Sequence, residues 1–170
     1  MNLRILIILG IIAVIVVFSL AYFIPSNKNT LVVPVNTTLK FNQTAMLERG
    51  DIAMGFNQSM IHHHFMATKT GGEIMIMSTN MSDTKTINEI RSHVKDIQYE
   101  FSQGNFTRPF YIHAQVVPGT DIMTAKKNMI QYSIEDIDGG SVLILRTNNT
   151  ELLVAIQQFM NFQSTQHMGH

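Results

Sequence analysis

The sequence predicts an α+β fold: one N-terminal transmembrane helix, then a domain of two ββα units whose antiparallel sheet is covered on one face by helices. Three observations predict it. Ile5 through Ile24 run for 20 residues without a charge. Two later stretches match at a single offset of 68 residues, Gly71-Gly72 with Gly139-Gly140 and Thr79-Asn80 with Thr147-Asn148. After each stretch, apolar residues return every three or four positions, the period of a helix with one buried face.

The charge-free run is long enough to cross a bilayer, since 20 residues rising ~1.5 Å each span ~30 Å of hydrocarbon. Without water the backbone must satisfy its own hydrogen bonds, and a single segment can do so only as a helix. Arg4 precedes the run and no acidic residue does, so residues 1–4 are expected in the cytoplasm and everything after Pro25 outside. Tyr22 and Phe23 suit the outer interface. The alternative is a cleaved signal peptide with Ser19-Leu20-Ala21 as the processing site. Such peptides carry apolar cores of only ~7–15 residues, however, and this run continues past that point.

Residues 25–48 are polar around Ser26-Asn27-Lys28-Asn29 and read as a stalk, with a possible strand at Leu31–Val35. The folded domain is expected over 49–166, with residues 167–170 as a His- and Met-bearing tail. In each repeat the Gly pair lies between apolar runs and is expected at the tip of a tight hairpin. The first helix should cover Asp83 to Gln103. Ser82 or Asp83 caps it, Ile87, Ile90, Val94, Ile97 and Phe101 form its stripe, and Gly104 is its left-handed stop. Residues 110–117 (Phe-Tyr-Ile-His-Ala-Gln-Val-Val) read as a strand, and Asp121 to Ile130 as a short helix. The last helix should run from Thr150 to Gln166, capped by Asn148 or Asn149, with Leu152, Ile156, Phe159, Met160 and Gln163 on one face and His167 continuing it.

Composition excludes several functions. Lys plus Arg and Asp plus Glu both number 12, so the chain lacks the basic excess that nucleic-acid binding needs. No nucleic-acid partner is expected. Hydrophobic residues make up 45%, too many for a disordered chain. With no cysteine, disulfides, thiolate metal sites and cysteine nucleophiles are all ruled out. Six Asn-x-Ser/Thr sequons, at Asn36, Asn42, Asn57, Asn80, Asn105 and Asn148, fit an exported, glycosylated chain. No phosphate loop, nucleophile elbow, His-Glu-x-x-His helix or dinucleotide fingerprint occurs, so an enzyme is not expected.

Seven His and 12 Met are the chemical signal. In a strand, alternate side chains point to opposite faces. His62 and His64 therefore share a face with Met60 and Met66, while His63 goes with Phe65. On the paired strand Met75 and Met77 oppose Ile74 and Ile76. Placing Phe65, Ile74 and Ile76 beneath the helices leaves His62, His64, Met66, Met75 and Met77 on the other face. Thioether sulfur is a soft ligand for Cu(I) and imidazole binds Cu(I) and Cu(II) alike, so copper is the expected cofactor. His93 falls at the flank of the helical stripe, where a structural hydrogen bond competes with ligation. Met in a sheet also serves as core filler.

The segments Met54-Gly-Phe-Asn-Gln58, His63-His64-Phe65, Gly71-Gly72-Glu-Ile, Ile90-Arg91-Ser-His93, Phe101-Ser-Gln-Gly104-Asn-Phe106, His113 with Pro118-Gly119, Gly139-Gly140 with Val142, and Ala155-Ile156 through Phe162-Gln163 to His167 form an ordered set. In this order they resemble a family of small exported bacterial and archaeal proteins of undetermined function. Some members of that family carry the label aspartate carbamoyltransferase. A domain this small, on the outer side of a membrane, offers no support for such an activity. The resemblance implies that His63, His64, His93, His113 and His167 belong together. The family often has His where this chain has Gln157, so a set containing that position would lack one member here.

The expected function is therefore a membrane-tethered, extracytoplasmic metal-binding module. Its ligands would come from His63, His64, His93, His113 and His167, with Met66, Met75, Met77 or Met123 as soft partners. The alternative is a non-catalytic assembly subunit with structural histidines and a protein partner or second copy on its Met-bearing face. A small hydrolase or lyase centred on three convergent His is a third option, for which no paired carboxylate is in view.

Overall fold

A computed structural model of the chain describes residues 43–167. The expected anchor, the stalk up to residue 42 and tail residues 168–170 lie outside the described residues. Among the described residues no helix is long and apolar enough to cross a membrane.

Helix α1 (Gln43–Met54) and a 3-10 turn (Gln58–Met60) lead into strands β1 (Ile61–Thr68) and β2 (Gly71–Ser78). Helix α2 (Thr84–Ser102) follows. The short helices α3 (Thr107–His113) and α4 (Thr120–Ala125) and a 3-10 turn (Lys127–Met129) then lead to strands β3 (Gln131–Ile137) and β4 (Gly140–Arg146) and helix α5 (Thr150–Gln166). The four strands form one antiparallel sheet in the order β1-β2-β4-β3. The α5 helix packs across β1 and β2, and α2 across β2, β4 and β3. An α+β fold with a four-stranded antiparallel sheet is therefore what the chain adopts.

Both long helices begin and end where local chemistry dictates. The Asp83 side chain accepts from the Thr86 amide at 3.1 Å and opens α2. Asn149 accepts from the Leu152 amide at 2.9 Å and opens α5. Gly104 adopts φ 73°, the left-handed stop after α2. The core is built from Ile74, Ile76, Leu143 and Leu145 on the sheet, Ile90, Val94 and Phe101 on α2, and Leu152, Ile156, Phe159 and Met160 on α5.

The two hairpins repeat, but not at the offset of the Gly pairs. Thr68 pairs with Gly71 and Ile137 with Gly140, so the hairpins superpose at an offset of 69. Lys69-Thr70 and Asp138-Gly139 form the turns. Gly71 starts a strand, while Gly139 sits in the turn at φ 76°. The one-residue difference matters because side chains alternate. At 69 residues Ile74 and Ile76 correspond to Leu143 and Leu145, all buried; at 68 they would correspond to Val142 and Ile144, on the other face.

Two further elements differ from expectation. The segment 110–117, rich in aromatic and β-branched residues, was expected to be a strand and is not one: its first half belongs to helix α3. The buried positions Phe106, Pro109 and His113 are three and four residues apart, a helical period, while Phe110 and Tyr111 point outward. Helix α1 begins inside the expected stalk, so the domain starts before Arg49. Met46 and Gly50 are its buried residues, four apart on one face, and Met54 continues that face.

Gly140 lies on a central strand where an added Cβ would run into the Ile76 carbonyl of β2, whereas nothing lies within 4 Å of a Cβ at Gly55. Gly140→Ala is therefore expected to cost roughly 2–3 kcal/mol by forcing β2 and β4 apart. Gly55→Ala carries only the positive-φ penalty, about 1 kcal/mol. Urea unfolding of the two variants checks the ordering.

Candidate functional site

Four imidazoles from four distant segments line one cavity. It has a volume of about 60 Å³ and lies between the helix-covered face of β1 and β2 and helices α1, α2, α3 and α5. His63 comes from β1, His93 from α2, His113 from the end of α3 and His167 from the end of α5. Met54, Gln58, Arg108 and Gln163 complete the polar and sulfur-bearing lining, and Phe65, Ile74, Ile76, Ile97, Phe101 and Phe159 supply the apolar walls. The volume suits a few water-sized groups and is far below the several hundred Å³ of an organic-cofactor pocket.

Each imidazole is placed by its element. His63 pairs with Ile76 across the hairpin and so faces inward with Phe65, to which it stacks at 5.9 Å. Gln163 and His167 are four residues apart and share the face of α5 that lies on β1 and β2. The His167 ring stands 5.5 Å from that of His63 and 5.3 Å from that of His113, centroid to centroid. Helix α3 ends at Ala114, which takes a left-handed turn at φ 52°, ψ 30°. His93 is buried and meets the edge of Phe56 at 5.7 Å.

The surroundings hold these parts rigidly. The guanidinium of Arg108 on α3 forks onto Glu100 of α2, with Nε to Oε2 at 3.0 Å and Nη2 to Oε1 at 2.6 Å, and also donates to the Ala53 carbonyl of α1. Arg49 of α1 donates to the Ile112 carbonyl at 2.8 Å. Gln58 donates from Nε2 to the Leu47 carbonyl at 2.8 Å, packed where a side chain at Gly50 would stand.

His113 keeps one ring nitrogen without a hydrogen bond. Its Nε2 lies 2.8 Å from Gln163 Oε1, an acceptor, so Nε2 carries the proton and Nδ1 keeps its lone pair. That Nδ1 is buried and makes no hydrogen bond. A hydrogen bond from the far nitrogen is how metal-binding imidazoles are oriented. Burial also favours the neutral form of His93 and His113. Burial, reinforced by the Arg108 charge, pushes His93 down to about 4. Burial outweighs the Gln163 hydrogen bond and lowers His113 too, with Arg49 adding to the effect. Among the described residues, no group of three or more His, Asp or Glu is already placed to hold a metal ion. Shared ligation therefore needs side-chain rotation.

The residues expected as one set divide into two. His63, His93, His113 and His167 reach the cavity. His64, Met66, Met75 and Met77 lie on the opposite face of the sheet, which no described helix covers, where His64 pairs with Met75, His62 with Met77 and Met66 with Glu73. Gln157 is not among the cavity residues; its amide donates to the Thr68 carbonyl at 2.9 Å. Met54, Gln58, Arg108 and Gln163 went unassigned in the sequence. Gln163 carried a visible signal, an amide on an otherwise apolar helical stripe.

No protein-family model, curated protein or solved structure matches this chain significantly. The family resemblance therefore rests on its own segments, and function has to be argued from the two faces of the sheet.

His93 gives the domain a defined acid response. Unfolded, it takes a proton near 6.5; folded, only near 4. In that interval the unfolded chain binds more protons, so stability present above pH 6.5 is lost as pH falls towards 4, on the order of 3 kcal/mol. The shift of His113 acts in the same direction. Urea midpoints are expected to drop between pH 7 and pH 5, and His93→Phe to flatten that drop. Equal midpoints in the wild-type chain would mean His93 protonates freely in the folded state.

Proposed function

We propose that the domain is a non-catalytic module that holds a soft transition-metal ion, copper in its +1 state, on the cavity imidazoles. His113, through Nδ1, and His167 are the principal ligands, and His63 is the third. His93 forms part of the wall, and Met54 is the one thioether among the described residues that line the cavity. The observation that carries this reading is the meeting of four imidazoles, far apart in sequence, in one small apolar cavity. Rings bound to a common ion through ~2.0 Å bonds stand with centroids roughly 5–5.5 Å apart, close to the two spacings at His167.

Charge selects the oxidation state. Among the described residues no carboxylate lines the cavity, and the one lining cation, Arg108, is already paired with Glu100. A divalent ion on neutral ligands would carry its whole charge into a low-dielectric site, and the desolvation cost rises with the square of that charge. A monovalent ion with a preference for imidazole and thioether meets the smaller cost. With residues 5–24 as a membrane anchor, the site would work on the outer side as a copper chaperone, store or sensor.

Copper(I) added without oxygen to the full-length chain is expected to raise its melting temperature. The His113→Ala/His167→Ala variant should lose that rise and bind roughly 100-fold or more weakly at this site in competition with a chelator. A folded double variant that binds and is stabilised like the wild type would sink the reading. Gln163→Leu, which keeps both ligands but frees the His113 tautomer, should weaken binding by roughly 10-fold.

An assembly role is the second reading. It draws on the uncovered face of the sheet, where Met66 is 48% exposed and Met75, Met77 and Ile144 are half-buried. A dimer whose formation ignores chelators would favour it.

A further inference from the structure

The outward histidines take no part in the cavity, and the strand register gives them partners of their own. We propose that the uncovered face of the sheet carries a second, separate site for a soft monovalent cation, copper(I) or silver(I), built from His62 and His64 of β1 and Met75 and Met77 of β2.

The pairing His62 with Met77 and His64 with Met75 sets four donors at the corners of one block. Partners across an antiparallel pair are ~5 Å apart and alternate residues along a strand ~7 Å apart, so the centre of the block lies about 4 Å from each Cβ. Side chains stand off the sheet at these positions. A thioether sulfur two bonds beyond Cβ, or an imidazole nitrogen, can then reach a common ion at bonding distance. All four point away from the cavity, with the backbone of β1 and β2 between the two sites. His63 separates His62 from His64 in the chain and faces the other way.

Neighbouring residues suit a soft cation. On one side Met75 pairs with the buried Val142, and Met77 pairs with Gly140, which carries no side chain to compete for the ion. On the other side β1 is the edge of the sheet, and both histidines are exposed, so an ion can arrive from solvent. The charged side chain on this face of β1 and β2 is Glu73, paired with Met66 in the next row, and its sign attracts a cation. Arg146 stands at the far end of the face, opposite Gly71. A donor set of two imidazoles and two thioethers favours a soft ion over zinc or calcium. This site does not depend on the cavity proposal.

The test uses the full-length chain labelled with 13C in its methionine methyl groups and titrated with silver(I), the redox-inert stand-in for copper(I). Met75→Leu and Met77→Leu assign the two signals. Both methyl resonances are expected to move together and saturate with one equivalent. In His62→Ala/His64→Ala they should need roughly tenfold or more silver, and in His113→Ala/His167→Ala they should move as in the wild type. Methyls of Met75 and Met77 that stay still, or that shift equally with and without His62 and His64, would overturn the proposal. A shift seen only at exposed Met66 or Met81 would do so as well. Loss of the cavity equivalent with intact Met75 and Met77 shifts would count against the cavity reading alone.

Discussion

The β1–β2 register decides the chemistry of this domain. Three consecutive histidines enter one strand, and alternation sends the middle one beneath the helices and its two neighbours into solvent. Pairing Phe65 with Ile74 and His63 with Ile76 places two isoleucines and an imidazole on the same buried face. Sliding β1 by one residue would turn His62 and His64 into the core and expose Phe65. The hydrophobic demand of α5, which needs Phe65, Ile74 and Ile76 beneath it, therefore also fixes where the imidazoles go. Burying apolar surface is what positions the polar site.

Much of that was legible in the sequence. The limits and caps of α2 and α5 were readable because each has a long apolar stripe, a side chain able to cap its N-terminus, and for α2 a glycine at its end. The two faces of the hairpin followed from period-two alternation. Elements that depend on distant partners were not readable. Residues 110–117 have strand-like composition, yet α3 forms because Pro109 and His113 find buried positions against the rest of the domain. Helix α1 does not gather its apolar residues on one face (Ile52 is exposed) and has a central Gly50, whose value becomes apparent only once Gln58 is seen packed over it. The Gly-Gly match pointed to real hairpins and to a wrong equivalence, because one glycine serves a turn and its counterpart a strand start. The meeting of His63, His93, His113 and His167 joins residues up to about a hundred positions apart, and no local pattern encodes that.

The sequons gain a second explanation from the structure. Asn57, Asn80 and Asn105 each accept, through the side-chain oxygen, a hydrogen bond from the amide two residues on, at 2.8, 3.0 and 3.0 Å. In all three, the residue two positions on is the Ser or Thr of the sequon. This is the turn that Asn makes with its own backbone, and each instance stands just before a helix or strand starts. Loop-closing chemistry alone can therefore enrich Asn-x-Ser/Thr in this chain, whether or not a glycan is attached. The case for an outer location then rests on the charge-free run of 20 residues and on Arg4 in front of it.

Four imidazoles in a cavity need a physical reason, since each buried polar group must recover the hydration it loses. His113 recovers part of it from Gln163, and ring contacts with Phe56, Phe65 and Phe162 replace water around His93, His167 and His113. The buried His113 Nδ1 recovers nothing. A hydrophobic side chain of similar size at position 113 would remove that cost, as would a rotamer that turned Nδ1 towards a donor. Neither is found, and Gln163 instead holds the ring with its bare nitrogen inward. An uncompensated lone pair in a neutral, enclosed, carboxylate-free site is destabilising until an electron-pair acceptor enters. On the proposed reading a soft monocation would supply that acceptor at the least electrostatic cost, and a proton would do so only in acid, because burial opposes charging His113 in the folded domain.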